Sequence, residues 1–198
     1  MLKRLFDFLA SLALLILLSP LFAIIALLIK LDSPGPVFYR ARRVGWEGQP
    51  FCMLKFRTMV TDADKLGPGL TCHADPRITR VGHLLRQTSL DELPQLLNIV
   101  RGDMSLIGPR PETPEYVNLN DPTWQQVLSV RPGLSGLAQL RYADEAAQLS
   151  GVAAAHDYLT HILPDKLALD VQYVQTRSLA LDLILLFQTL LIALRRSQ

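Results

Sequence analysis

The chain has 198 residues, 49% of them hydrophobic, with a formal charge of +2 from 20 Lys and Arg against 18 Asp and Glu. It is more apolar than most soluble domains, so part of it is expected in a membrane, and the small net charge without an aromatic-laced basic stripe sets nucleic acid aside as a partner. Cys52 and Cys72 are too few for a disulfide framework and are read as reduced thiols, and His156 and His161, five apart, do not share a helical face as a zinc pair needs.

Phe8 to Ile29 is an apolar run of about 22 residues, roughly 33 Å as a helix and long enough for a bilayer core. Ser19-Pro20 interrupts it, and basic residues flank both ends: Lys3 and Arg4 before, Lys30, Arg40, Arg42 and Arg43 after. A crossing helix satisfies the positive-inside tendency at one end only, whereas a helix bent at Pro20 that returns to the side it entered satisfies it at both. The residues alone leave both arrangements open. The Ser19 hydroxyl is placed to satisfy a backbone carbonyl freed by the proline. Asp32-Ser33-Pro34-Gly35-Pro36 is turn chemistry, dividing a membrane segment, 1–31, from a single globular domain, 32–198.

In that domain Val37 to Val44 and Phe51 to Phe56 predict a hairpin around Gly45 to Pro50. Lys55 and Arg57, two apart, are expected on one strand face, either as a solvated edge or turned toward substrate phosphates. Thr61-Asp62-Ala63-Asp64 has the Asp-x-Asp spacing of some metal sites, but Thr61 before two acids reads better as a helix start.

Ser89-Leu90-Asp91-Glu92-Leu93-Pro94-Gln95 places two adjacent carboxylates where a helix over Leu90 to Val100 would begin. Ser89 and Glu92 have capping-box spacing, which would put Asp91 and Glu92 beside the positive helix end and keep both ionised at neutral pH. The bland alternative is that they only cap the helix. Against it stands the company of Arg86, Arg101 and Arg110, which suits chemistry on phosphate esters. Arg110 lies between Pro109 and Pro111, which fix its backbone and present its guanidinium as a rigid fork for phosphate, although a structural pairing is also open. Arg131-Pro132-Gly133 has the order of a type II turn. Ala143 to His161 reads as a helix without assignable chemistry. Leu179 to Leu194, closed by Arg195 and Arg196, fits a helix lying in the membrane surface.

Assembled, these residues resemble the bacterial sugar transferases of the monotopic phosphoglycosyl transferase superfamily, over nearly the whole chain. The resemblance rests on Ser19-Pro20, Lys55-Phe56-Arg57-Thr58-Met59, Asp75-Pro76-Arg77 and Thr88 through Leu96. It continues in Gly102-Asp103-Met104-Ser105-Leu106, Gly108-Pro109-Arg110-Pro111, and Arg131-Pro132-Gly133-Leu134-Ser135-Gly136 with Ala138-Gln139. It implies transfer of a phospho-sugar from a UDP-sugar to a polyprenyl phosphate, such as undecaprenyl phosphate, at the cytoplasmic face of the inner membrane, with release of UMP. By the same resemblance Asp91 is the nucleophile that forms a phospho-sugar aspartate, and Asp91 and Glu92 hold Mg²⁺. Glu92 also positions or deprotonates the lipid phosphate, Arg110 holds a nucleotide phosphate, Lys55 and Arg86 line the site, and Ser19 and Pro20 make the re-entrant kink. The chain departs from the family pattern at Leu137, where Trp often follows the Gly, and at Arg141-Tyr142, where Asn-Gly is common, so the sugar is not implied.

The expected fold is therefore one helix-rich α/β domain with a small sheet built on the hairpin, an N-terminal re-entrant helix and a C-terminal interfacial helix. A homo-oligomer is left open. Two other functions fit the residues: a membrane-anchored scaffold whose basic loops bind anionic lipid, and a phosphatase that uses Asp91 but hands the group to water.

Overall fold

The structure, a computed structural model, describes residues 2–63, 75–142 and 154–196. The apolar run opens the chain as two helices, α1 (Leu2–Leu17) and α2 (Ser19–Asp32), bent by 62° at the break. Pro20 stands in the first turn of α2, where its missing N–H costs least. The carbonyl it would have served is that of Ile16, and Ser19 Oγ donates to it at 2.8 Å. Among the described residues no single helix is long and apolar enough to cross a membrane; the bent pair meets that test only together.

The hairpin forms where the alternation predicts it, as β1 (Phe38–Val44) and β2 (Pro50–Phe56), antiparallel with Lys55 opposite Tyr39. Arg57 lies just past β2 and does not share a working face with Lys55. It donates to the carbonyls of Ser33, Pro34 and Pro36 at 2.9, 2.8 and 2.6 Å, clamping the turn that follows α2. Thr61 Oγ1 donates to Pro34 O in the same turn, while Asp64 and Cys72 lie outside the described residues.

Then come α3 (Arg80–Gln87) and α4 (Gln95–Arg101), joined by a 3₁₀ turn at Leu90–Glu92. The single helix expected from Leu90 is thus split, because Ser89 adopts a left-handed conformation (φ 57°) that cannot start a helix and Pro94 precedes the first turn of α4. β3 (Ser105–Ile107) follows, then α5 (Pro122–Val127) and β4 (Gly133–Ser135), and β3 and β4 pair in parallel. Gly133 is not the left-handed corner of a type II turn. It is in a strand so close to the Pro109 loop that a Cβ on it would lie 2.1 Å from Gly108 N.

The chain ends in α6 (Leu137–Arg141), α7 (Ala154–Asp157), a π turn (Tyr158–Ile162), α8 (Leu163–Thr176) and α9 (Leu179–Arg196). Most of the helix expected over 143–161 lies outside the described residues. The core is packed in patches around the hairpin. Ala41, Met53, Leu96, Ile99, Met104 and Leu106 receive Phe6, Ala10 and Leu15 of α1, and Ile25 and Ile29 of α2 meet Phe56 and Leu85. The other faces of the apolar helices stay uncovered, with Leu5, Leu9 and Ile16 of α1, Ile24 and Leu27 of α2, and Ile184, Phe187 and Leu190 of α9 all exposed.

Candidate active site

Three stretches far apart in sequence converge on the acidic pair. β2 brings Lys55, whose Nζ lies 2.7 Å from Glu92 Oε1 and 3.8 Å from Asp91 Oδ2. The Pro109–Pro111 loop brings Arg110, whose Nη2 donates to the same Glu92 Oε1 at 3.0 Å. α3 brings Arg86, which feels the charge of Asp91 but has its Nε fixed on Thr58 Oγ1 at 2.9 Å. Asp91, Glu92, Lys55 and Arg110 therefore form one contact cluster, with Arg86 behind it. Arg101 is exposed at the end of α4, and Arg131 is elsewhere in role: it donates to Gly102 O at 2.7 Å and covers the ring of Trp46 at 4.4 Å.

The capping box is not made. Ser89 caps nothing, and the Glu92 carboxylate goes to Lys55 and Arg110. Nor are the two acids electrostatically alike. Burial pushes the Asp91 carboxyl above its ordinary range, and the positive charge of Lys55 only partly offsets it, with Glu92 pushing the same way as burial. Burial also opposes ionisation of Glu92, but Lys55 and Arg110 together outweigh it and hold that carboxyl well below its ordinary range. The expected helix-dipole mounting is corrected: Glu92 is held as an anion by Lys55 and Arg110 rather than by a helix end, and burial makes Asp91 the more basic partner. Among the described residues Asp91 accepts no hydrogen bond.

Several positioning residues escaped the sequence reading. Asn98, fully buried in α4, accepts from Leu54 N at 2.9 Å and donates to Cys52 O at 2.8 Å, fixing the strand that carries Lys55 to the helix that follows Asp91. Its signal was an amide inside the apolar run Leu96-Leu97-Asn98-Ile99-Val100. Thr58 holds Arg86, and α3 can approach Thr58 because residue 82 is Gly: a Cβ there would fall 2.0 Å from Thr58 O. Asp75 and Arg77 form an ion pair at 2.6 Å and serve the structure.

Among the described residues no three His, Cys, Asp or Glu side chains gather as a metal cluster. Mg²⁺ needs less from a protein, since it keeps waters and takes one or two carboxylates together with substrate phosphates. Asp91, free of hydrogen bonds, and Glu92, engaged through Oε1 alone, offer a donor set of that kind.

Lys55 and Arg110 thus hold one of two adjacent carboxylates and leave the other the more basic. A family model described as bacterial sugar transferase matches residues 1–196. The chain belongs to the bacterial sugar transferase family and is an enzyme. It is 42% identical to the exopolysaccharide production protein ExoY of Rhizobium meliloti, covering 96% of this chain and 84% of the relative. It is 41% identical to a UDP-glucose:undecaprenyl-phosphate glucose-1-phosphate transferase of Caulobacter vibrioides, over 94% of this chain and 67% of that one. It is 41% identical to a UDP-N-acetylgalactosamine-undecaprenyl-phosphate N-acetylgalactosaminephosphotransferase of Aeromonas hydrophila, over 95% of this chain and 42% of that one. Membership in this family sets aside the scaffold reading.

Proposed function

We propose that the chain transfers a sugar 1-phosphate from a UDP-sugar to a polyprenyl phosphate in two displacements at one phosphorus. An Asp91 oxygen attacks the β-phosphorus, the bond to the bridging oxygen breaks, and UMP leaves with the electron pair. A phosphate oxygen of the lipid then attacks the same phosphorus and returns Asp91 as a carboxylate. The observation that carries this reading is the asymmetry of the pair: Asp91 is raised in basicity and free of hydrogen bonds, while Glu92 is held as an anion by Lys55 and Arg110. Lys55 and Arg110 supply positive charge beside the transferred group, and Arg86 adds to it. Mg²⁺, when bound by Asp91 and Glu92, would neutralise phosphate charge as a Lewis acid.

The enzyme is membrane-associated. We place its work at the cytoplasmic face of the membrane, with 1–31 as a re-entrant hairpin, 32–198 as the catalytic domain and α9 lying in the interface. In support, the helix pair is bent at Ser19-Pro20, and most of the exposed large apolar residues fall on α1, α2 and α9.

The test is UMP release from a panel of UDP-sugars, with and without polyprenyl phosphate. Asp91→Asn should abolish release and prevent trapping of an adduct at position 91. Arg110→Ala should lower efficiency by about tenfold to a hundredfold, the worth of one hydrogen bond to a charged group, and Arg110→Lys should restore it poorly for want of the fork. Turnover retained in Asp91→Asn removes the covalent step. Release that proceeds equally without the lipid turns the enzyme into a phosphatase.

A further inference from the structure

The turn that carries Asp91 and Glu92 connects α3 to α4, and each of those helices ends on a charged side chain of the membrane hairpin. Asp32, the last residue of α2, accepts through Oδ2 from Val81 N at 3.1 Å, in the first turn of α3. Arg4, in the first turn of α1, donates through Nη1 to Ile99 O at 2.6 Å and through Nη2 to Val100 O at 3.1 Å, in the last turn of α4. An anion at a helix N-terminus and a cation at a C-terminus have the signs that the helix dipole favours, and both meet backbone groups that a helix leaves without internal partners. Gly102 makes room for the second cap: its φ of 104° turns the chain away, and a Cβ there would lie 3.3 Å from Arg4 Nη2. Arg4 is therefore committed to the catalytic domain, beyond its place as a charge flanking the apolar run.

The apolar packing repeats this pairing. Ile25 and Ile29 of α2 share a cluster with Leu85 of α3 and with Leu90 and Leu93, the residues that bracket the acidic pair. Phe6 and Ala10 of α1 pack against the cluster that holds Leu96 and Ile99 of α4. So α2 seats the helix before the turn and α1 the helix after it, and the 62° bend between them fixes how those two helices face each other. The connection, 88–94, is short, with Ser89 left-handed and with Glu92 N and Leu93 N donating to Ser89 O and Leu90 O at 3.3 and 3.2 Å. It cannot absorb a change in helix placement, so movement of either helix reaches the position of Asp91 against Lys55, set at 3.8 Å. Rates are sensitive to such movement: a misplacement of about 1 Å costs on the order of a hundredfold.

We propose that Asp32 and Arg4 are positioning residues for the acidic turn, so that the membrane hairpin frames the active site as well as anchoring it; the kinetic arm of the test rests on the transferase reading above. The full chain in micelles is compared with Asp32→Ala, Asp32→Asn and Arg4→Met. The control is Lys30→Met, which removes a flanking charge whose Nζ donates to Gly35 O at 2.8 Å rather than to α3 or α4. Asp32→Ala and Arg4→Met should lower kcat for UMP release by about tenfold to a hundredfold at unchanged KM for UDP-sugar and for polyprenyl phosphate. They should also speed hydrogen exchange at Glu92 N and Leu93 N by about tenfold, while the β1–β2 ladder keeps its rate. Asp32→Asn, which retains an acceptor for Val81 N, and Lys30→Met should stay near wild type. If Arg4→Met does not fold, Arg4→Lys, with one nitrogen for two carbonyls, decides by the same readouts. An anchor alone would raise only the KM for polyprenyl phosphate, and a stability role alone would lower the melting temperature with kcat per folded molecule unchanged. Either result overturns the proposal, as does wild-type exchange at the turn or an equal loss in Lys30→Met. Exchange needs no turnover, so a wild type that releases no UMP sinks the transferase reading while exchange at the turn still decides the positioning.

Discussion

Lys55 and Arg110 both reach the same oxygen of Glu92, which leaves Asp91 with a single cation at 3.8 Å and a burial cost that this cation does not cancel. The consequence for stability has a definite sign. Because the folded-state value of Asp91 is raised, the unfolded chain loses that proton first as pH rises above the ordinary carboxylate range, and stability falls until the folded carboxyl has also ionised. Asp91→Asn is therefore expected to melt at or above wild type at neutral pH, with the difference vanishing near about pH 3, where both states of Asp91 are protonated. A variant less stable than wild type at neutral pH would contradict the burial of an ionised Asp91. Lys55 tests the same point kinetically. Lys55→Met removes the main influence lowering Asp91, so the acidic limb of kcat/KM for UMP release should move to higher pH. A limb that stays in place assigns it to another group.

The hairpin was legible because its signal is local: two β-rich runs around a Gly and Pro turn, with the strands where the alternation ends. The acidic pair was legible as chemistry, and its mounting was not. A capping box presumes that Ser89 enters the helix from extended backbone, whereas its left-handed conformation, followed by Pro94, makes a 3₁₀ turn that points Glu92 at partners 37 and 18 residues away. Gly133 misled for a similar reason, since close approach of two backbones and a left-handed corner both call for glycine. The α1–α2 break was readable down to Ser19 Oγ and the freed carbonyl. Roughly ten of the run's Leu, Ile and Phe side chains face away from the protein core and favour insertion by roughly 3–6 kcal/mol, while Pro20 in the first turn of α2 costs little, so the break sets geometry rather than insertion. Lys3 is engaged by Asp182, so labelling is better done at the exposed Leu2 and at Ser33. In a background without Cys52 and Cys72, Leu2→Cys and Ser33→Cys should both react from the cytoplasmic side alone. Replacing Ser19 and Pro20 by Ala and Leu should carry position 2 to the other side. Opposite-side labelling in the unaltered hairpin would mean a simple single crossing.

Across the whole molecule, a buried polar network ties the beginning of the chain to its far end. Lys3 Nζ is 2.5 Å from Asp182 Oδ2, whose other oxygen accepts from the Tyr173 hydroxyl at 2.7 Å, and the same hydroxyl oxygen lies 3.1 Å from Ile107 O. Asp7 accepts from Ser105 Oγ at 2.8 Å, so α1, α8 and α9 all meet at β3. No local pattern announces such a network, because its members lie 98 and 179 residues apart. Lys3 is 37% exposed, which discounts its charge, but Tyr173 is buried, so Asp182→Ala should cost about 1–3 kcal/mol in denaturant unfolding in micelles. Lys3→Met should cost less, and a neutral Asp182→Ala would show the network to be incidental. The same span governs how the protein is made. Asp182 is synthesised 179 residues after Lys3, which at roughly 5–20 residues per second is on the order of ten to forty seconds during which Lys3 lacks its partner. Before α9 is made, α1 already has its apolar partners among residues 41–106 and lacks only the Asp182 fastening, so premature termination before α9 is expected to leave α1 packed on that core with Lys3 unfastened.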